Sequence, residues 1–309
     1  MIRIGVDFGG TKIEAAALDE AGVERARLRA PNPGAYEAAL GAVIELIERV
    51  RLESGAPPGP VGVGMPGSPS PRTGLIRGAN STWLNGRNFK ADLEQRLGQP
   101  VRLANDANCL ALSETEDGAA AKAGGAVFAA ILGTGVGGGV VVDGALLEGA
   151  NGVAGEWGHT PLPWPGPQDK APPCWCGRSA CLETFLSGPS FAADYARATG
   201  RKLRAEAVIE AAGQNDRWAI AAFDRYIDRL ARALAVLIDF IDPTVIVLGG
   251  GMSNVAALYE RLPEAIGPHV FYDGWTAPIV KAAHGDSSGV RGAARLWPLK
   301  SADRARAAG

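Results

Sequence analysis

Three of the four cysteines fall within CWCGRSACLE, residues 174–183. Clustered thiols can form disulfides, exchange electrons or bind metal. Cys174 and Cys176 are one residue apart, and Cys181 follows after four more. That Cys-x-Cys spacing is tighter than the common zinc-finger pattern. Zinc takes four nitrogen or sulfur ligands. His159, one of three histidines in the chain, lies fifteen residues before Cys174. Pro161, Pro163, Pro165, Pro167, Pro172 and Pro173 keep the segment between them from being helical, so it could loop back. Spacing alone leaves metal binding, redox chemistry and inert packing open. Glu183 stands two residues past Cys181, so whatever fixes the thiol also fixes a carboxylate.

A second carboxylate stands where a strand pattern gives way to a helix pattern. Asp106 follows VRLA and opens NDANCLALSETE. An ionised carboxylate is stabilised there by the helix dipole. It reads either as a simple helix cap or as a proton acceptor. Asn105 beside it can donate and accept hydrogen bonds. Cys109, one turn on, reads as a small buried apolar residue.

Two glycine turns resemble phosphate sites without matching the familiar ones. Gly5-Val-Asp-Phe-Gly-Gly-Thr-Lys12 has Thr11 before Lys12, the reverse of a P-loop, and continues as a strand. Gly133-Thr-Gly135-Val-Gly-Gly138 satisfies G-x-G-x-x-G, but VVV follows where a dinucleotide fold needs a helix. What remains is a pair of hairpin turns offering backbone N–H groups and the hydroxyls of Thr11 and Thr134, which suit phosphate oxygens. Asp7 would repel phosphate directly, and makes sense with Mg²⁺ and its waters between them. A third glycine turn, holding Gly250 and Gly251, ends the β-branched run DPTVIVLGGG.

The elements that must carry these residues follow from periodicity. IRIGVDFGGTKIEAAALDEAGV and AVFAAILGTGVGGGVVVDGALL share one layout: strand, glycine turn, strand, acidic-glycine turn, strand. The spacing predicts helices over 35–53, 89–97, most of 188–241 and a final one through GVRGAARLWPL. Strands are expected at PVGVGMPG, VRLA, after Asp242 and at APIVKAA. Residues 149–190 read as a Gly/Pro-rich insertion. Strands alternating with helices give an α/β class with substantially parallel sheets.

The chain has 309 residues, more than one hydrophobic core usually holds, so two domains are expected. With a net charge of −2 there is no basic footprint for nucleic acid. No signal peptide is evident, and the most apolar run, 233–251, is interrupted by Asp239, Asp242 and Pro243, so no membrane span is expected. A cytoplasmic location follows, which disfavours disulfides. The chain is read as opening on a strand at Ile2, with no basic helix-turn-helix segment in the sequence.

DFGGTK, MPGS, LANDANC, LGTGVGGG, GEWGH, CWCG…CLE and DPTVIVLGGGMS, in this order, resemble the ROK family of bacterial sugar kinases from residue 3 to about 298. ANSTWLNG and HGDSSGVRGAARLWP resemble its fructokinase/mannokinase branch. The resemblance implies a two-domain actin-like ATPase (ribonuclease H-like) fold with an interdomain cleft. The expected domains are 1–120, joined by a C-terminal helix at 288–309, and 121–287, with the zinc-binding insertion at 149–190. It implies ATP and Mg²⁺ at Asp7, Gly9, Gly10, Thr11 and Lys12, with Thr134, Gly135, Gly250 and Gly251 on the other side. Asp106 becomes the catalytic base. Gly67, Ser68, Asn80, Asn105, Glu156, His159 and Glu183 become sugar contacts. His159, Cys174, Cys176 and Cys181 become ligands of a structural Zn²⁺, which would orient His159 toward the sugar. Ala180 stands where the family usually has glycine, a strain if that position needs a positive φ. The implied activity is ATP-dependent phosphorylation of a free hexose at the 6-hydroxyl. D-fructose is expected first and D-mannose next. Glucose and N-acetylated amino sugars are the alternatives, and a sugar-sensing regulator is the competing class. A homodimer is also implied.

Overall fold

A computed structural model of the chain describes residues 2–79, 81–170, 172–272 and 274–297. Asn80 and residues 298–309 of the expected C-terminal helix lie outside the described residues. The strands are β1 (Arg3–Phe8), β2 (Lys12–Leu18), β3 (Glu24–Pro31), β4 (Val61–Met65), β5 (Ser68–Pro69), β6 (Ile76–Arg77), β7 (Val101–Asn105), β8 (Ala126–Leu132), β9 (Val136–Val142), β10 (Ala145–Leu146), β11 (Val245–Gly249) and β12 (Ile279–Lys281). The α-helices are α1 (Tyr36–Ser54), α2 (Phe89–Leu97), α3 (Asp106–Glu116), α4 (Glu183–Leu186), α5 (Gly188–Thr199), α6 (Ala205–Gly213), α7 (Arg217–Ile241), α8 (Ala257–Ile266) and α9 (Ser288–Arg295). Among the described residues, no helix is long and apolar enough to cross a membrane.

The chain forms two compact units. The first holds residues 2–118, 145–154 and 286–297. Its sheet has the order β3-β2-β1-β4-β7. The β1–β2 and β2–β3 pairs are antiparallel, whereas β1–β4 and β4–β7 are parallel. The central strands β1 and β4 are almost wholly buried, as their unbroken apolar pattern requires of strands covered on both faces. One covering element is α1, whose buried Leu40, Val43, Ile47 and Val50 recur at helical spacing. The other is α9, which lies against β1, β4 and α3. That approach depends on Gly62, where a Cβ would stand 1.8 Å from the Ala293 carbonyl oxygen.

The second unit holds 119–144 and 155–285. From β9 its sheet runs β9-β8-β11-β12. The β8–β9 pair is antiparallel, and β8–β11 and β11–β12 are parallel. A hairpin continued by parallel strands thus occurs twice, although the third strand read in the second hairpin shrinks to the two residues of β10. The core of this unit is built on α7. Its buried Ala222, Phe223, Tyr226, Ile227, Leu230, Leu234, Leu237 and Ile238 form one apolar stripe. Asp216 caps its start, accepting from the backbone N–H of Trp218 at 2.9 Å and Ala219 at 3.2 Å.

Candidate active site and metal centre

In the first unit the glycine turn joins β1 to β2, and its backbone is braced from β3's end. Asn32 donates its side-chain amide to the Gly9 carbonyl at 2.7 Å, and its backbone N–H to that of Thr11 at 2.9 Å. Gly10, Thr11 and Lys12 remain exposed. Asn32 was not singled out from the sequence. Only its amide composition in a strand-end turn could have marked it.

Asp7, on β1, packs against the first turn of α9 at Gly289. Burial lifts its carboxyl to about 6, and the Asp106 and Glu14 carboxylates push it the same way against Lys12 and Arg27. Glu14 is itself buried and ion-paired with Arg27 and Arg29. Asp7 and Asp106 are therefore electrostatic neighbours, although they are 99 residues apart in sequence. Crowded carboxylates of this kind are relieved by a cation, and their hard oxygens fit Mg²⁺.

Asp106 is the first residue of α3, directly after β7. The cap is its neighbour: the Asn105 side-chain oxygen accepts the Asn108 backbone N–H at 2.7 Å. Of the two sequence readings for Asp106, the helix-cap reading therefore passes to Asn105. One Asp106 oxygen accepts the Ala107 N–H at 2.8 Å, which holds the carboxylate at the helix N-terminus. Asn105 spends its acceptor on the cap and retains its amide N–H₂. Gly67 and Ser68 lie at the start of the small β5–β6 hairpin, where Ser68 pairs with Arg77 and β5 packs beside β7. Cys109 is fully buried and its thiol is pushed up, so it packs as an apolar group.

In the second unit the turn between β8 and β9 presents Thr134 and Gly135. It closes on itself through the Gly133 N–H to the Gly135 carbonyl at 3.0 Å. The turn after β11 sits on it. Gly250 has φ 81°, and a Cβ there would stand 2.7 Å from the Leu132 carbonyl carbon. The structure thus brings together Thr134, Gly135, Gly250 and Gly251, the residues expected near the nucleotide.

His159, Cys174, Cys176 and Cys181 also come together. Their ligand atoms all lie within 4.8 Å of one another. His159 ends a 3₁₀ turn, Trp157–His159, anchored by the buried Trp157 indole donating to the Gly137 carbonyl at 2.7 Å. Bridges Pro161–Cys181 and Pro173–Ser179 fold the chain back so that Cys181 lies beside His159. The Cys176 and Cys181 sulfurs are 3.6 Å apart, and Cys174 sulfur is 3.7 Å from His159 Nδ1. Tetrahedral ligands about 2.3 Å from a zinc ion would stand about 3.8 Å from one another, so the donor set fits this metal in type, number and spacing. The Arg178 backbone N–H holds the Cys176 thiol down to about 6, whereas burial pushes Cys181 up to about 12. Ala180 has φ 58°, the left-handed conformation that its position had placed in question.

The loop between His159 and Cys174 is clamped to α7 by a buried ionic cluster. Asp169 accepts Arg229 Nε at 2.7 Å and the Arg232 guanidinium at 2.8 Å. Arg232 also donates to the Pro163 carbonyl at 2.7 Å and the Trp164 carbonyl at 2.8 Å. Sequence reasoning missed this clamp, because the charges sit 60 residues apart. Glu156 is half-buried just before the 3₁₀ turn. Glu183 opens α4, and its two oxygens accept the Val136 N–H at 3.0 Å and the Trp175 indole N–H at 2.6 Å.

Comparison with known proteins agrees with this architecture. The chain matches the ROK family over residues 3–300. It is 40% identical over 298 residues to a protein of Photobacterium profundum named N-acetyl-D-glucosamine kinase, spanning 94% of this chain and 98% of that one. The crystal structure of ROK hexokinase from Thermus thermophilus is 33% identical, with a TM-score of 0.85 over 96% of this chain and 98% of that one. A ROK family glucokinase from Streptomyces griseus, solved with glucose and AMPPNP, is 28% identical, with a TM-score of 0.77 over 96% and 99%. The curated proteins at 40% identity are named for N-acetyl-D-glucosamine rather than for the fructokinase/mannokinase branch that the sequence reading expected. By sequence match, by α/β architecture and by the actin-like ATPase fold of its structural neighbours, the chain belongs to the ROK family.

Proposed function

We propose that this protein is an ATP-dependent hexose kinase that phosphorylates a free sugar at its 6-hydroxyl. N-acetyl-D-glucosamine is the preferred substrate, ahead of D-fructose and D-mannose. The substrate order follows the naming of relatives that share 40% of their residues with this chain along nearly its full length. The observation that carries the chemistry is the junction of β7 and α3. There Asp106 is held by the Ala107 N–H at a helix N-terminus, in electrostatic reach of Asp7 on β1.

Phosphoryl transfer needs positioning, charge neutralisation and a proton acceptor. Asp106 accepts the proton of the attacking hydroxyl. The positive end of the α3 dipole favours negative charge at this position. Asn105 donates its free amide N–H₂ to the sugar. Gly67, Ser68, Glu156, His159 and Glu183 supply further sugar contacts. Backbone N–H groups of Gly9–Lys12 and of Thr134–Gly135 hold phosphate oxygens, and Gly250 and Gly251 flank the nucleoside. Mg²⁺, entering with ATP near Asp7, would neutralise charge on the phosphates. Zn²⁺ held by His159, Cys174, Cys176 and Cys181 would be structural, because four protein ligands leave no open position. His159 Nδ1 faces the thiols, which leaves Nε2 as the ring nitrogen for the sugar.

The test is ADP release on adding N-acetyl-D-glucosamine, D-fructose, D-mannose, D-glucose or N-acetylmannosamine, ranked by kcat/KM. The Asp106→Asn variant should bind sugar and lose nearly all turnover. General-base catalysis contributes about 10²–10⁴-fold, so a loss in that range is expected. Wild-type kcat in that variant would refute the assignment. A sensor without kinase activity would release no ADP with any sugar.

A further inference from the structure

Trp175 lies between two cysteines of the metal cluster, yet the residue is 62% exposed. An indole that packs a core is buried, so packing does not account for this one. Its ring meets His159 edge to face, with centroids 5.0 Å apart. Its one strong directional contact is the N–H, which donates to Glu183 Oε1 at 2.6 Å. The other carboxylate oxygen, Oε2, accepts the Val136 N–H at 3.0 Å, directly after the Thr134–Gly135 turn. Glu183 is thus gripped from two segments 39 residues apart, each on a different oxygen.

We infer that Trp175 is a positioning residue for sugar recognition, whose indole N–H fixes the Glu183 carboxylate in the orientation that receives sugar hydroxyls. The inference rests on the proposed role of Glu183 as a sugar contact. Each carboxylate oxygen has two lone-pair sites, so both donors can stay in place while one site per oxygen remains for the sugar. Without the indole N–H, the Val136 N–H is the remaining donor on the Glu183 carboxylate among the described residues, and that group gains freedom to turn about its last torsion, which is broad and roughly two-fold. The ordering would then be taken from sugar binding. Trp175 is itself set by the Cys174–Gly177 turn, closed by the Gly177 N–H to the Cys174 carbonyl at 3.0 Å. The residue between two thiols therefore passes the geometry of the cysteine turn on to the sugar pocket.

The test is Trp175→Phe, which keeps a ring beside His159 and removes only the donor. The lost bond is a charge-assisted one on a partly exposed group, so KM for N-acetyl-D-glucosamine and for D-fructose should rise about 3- to 10-fold. KM for ATP, kcat, bound zinc and Tm should stay at wild-type values, the pattern of lost uniform binding to one substrate. Sugar titration should change tryptophan emission in the wild type, and that change should be largely absent from the variant. Wild-type sugar KM in the variant overturns the inference while leaving the kinase reading intact. An equal rise in KM for ATP and sugar overturns it in favour of a general folding role. If the wild type releases no ADP with any sugar, the kinase reading fails and the inference falls with it.

Discussion

Asp7→Asn should make the ligand-free protein more stable while abolishing turnover. The Asp7 carboxyl is raised to about 6, by burial first and then by Asp106 and Glu14. An unfolded chain returns it to about 3.9. A carboxyl raised in the folded state opposes folding once it is ionised. The penalty is complete above about pH 6, fades between pH 6 and 4, and vanishes below, where both states hold the proton. A rise of about two pH units corresponds to about 3 kcal/mol at 1.36 kcal/mol per unit. Asp7 is only partly buried by surface area, and solvent screening brings this to about 2 kcal/mol. The amide of Asn carries no charge and avoids the penalty at every pH. For a folding unit of roughly 150 residues, about 2 kcal/mol corresponds to an increase of about 4–8 °C in Tm. The assay is differential scanning calorimetry of both proteins without nucleotide at pH 8 and at pH 4. The variant should lead at pH 8 and match the wild type at pH 4. With Mg²⁺ and ATP added, the wild type should gain stability that the variant does not. Equal Tm values at pH 8, or a gap unchanged at pH 4, would refute this account of Asp7.

Ala180→Gly should stabilise the metal loop, because φ 58° costs alanine about 1 kcal/mol that glycine avoids. Glycine's greater freedom in the unfolded chain returns part of this, leaving a net gain of about 0.5 kcal/mol; a lower Tm would show that the alanine methyl matters more than the strain. Asp169→Asn should cost about 3 kcal/mol, since it leaves Arg229 and Arg232 buried without their shared anion, and calorimetry of the purified variant reads the loss. Burial alone would raise Asp169, but the Gly166 N–H, Arg229 and Arg232 hold it below the usual carboxylate range. Its contribution is therefore complete above about pH 4 and disappears on acidification through its lowered folded value, so the variant's deficit should shrink in strong acid. Protein purified without added zinc should contain about one zinc per chain, and chelation should raise sugar KM more than ATP KM. A fully active sample free of zinc would exclude the metal's role.

The local parts of this protein were legible from residue order. Helix α2 runs over the 89–97 predicted from periodicity, and the strand-to-helix step at Asp106 falls where VRLA meets NDANC. Periodicity and turn chemistry act over a few residues, so they survive in the sequence unassisted. The cysteine cluster was legible in part: the spacing supplied three thiols, while the fourth ligand needed the family resemblance. Substrate preference was not legible, and the proposal of N-acetyl-D-glucosamine rests on the names of relatives.

The rest depended on segments that meet only in the folded chain. Asn105 rather than Asp106 caps α3, a choice settled by which side chain turns back onto the Asn108 N–H. Asp7 is perturbed by Asp106 because β1, β4 and β7 lie side by side. The Asp169 clamp and the Trp175–Glu183–Val136 contacts join residues whose separation no local pattern encodes. Sequence by itself determined the types of chemical group and the short elements bearing them, because torsional preference and side-chain period are local. Tertiary structure decided which groups share a dielectric environment and which hydrogen-bond partners they find, because burial and charge coupling depend on distance in space.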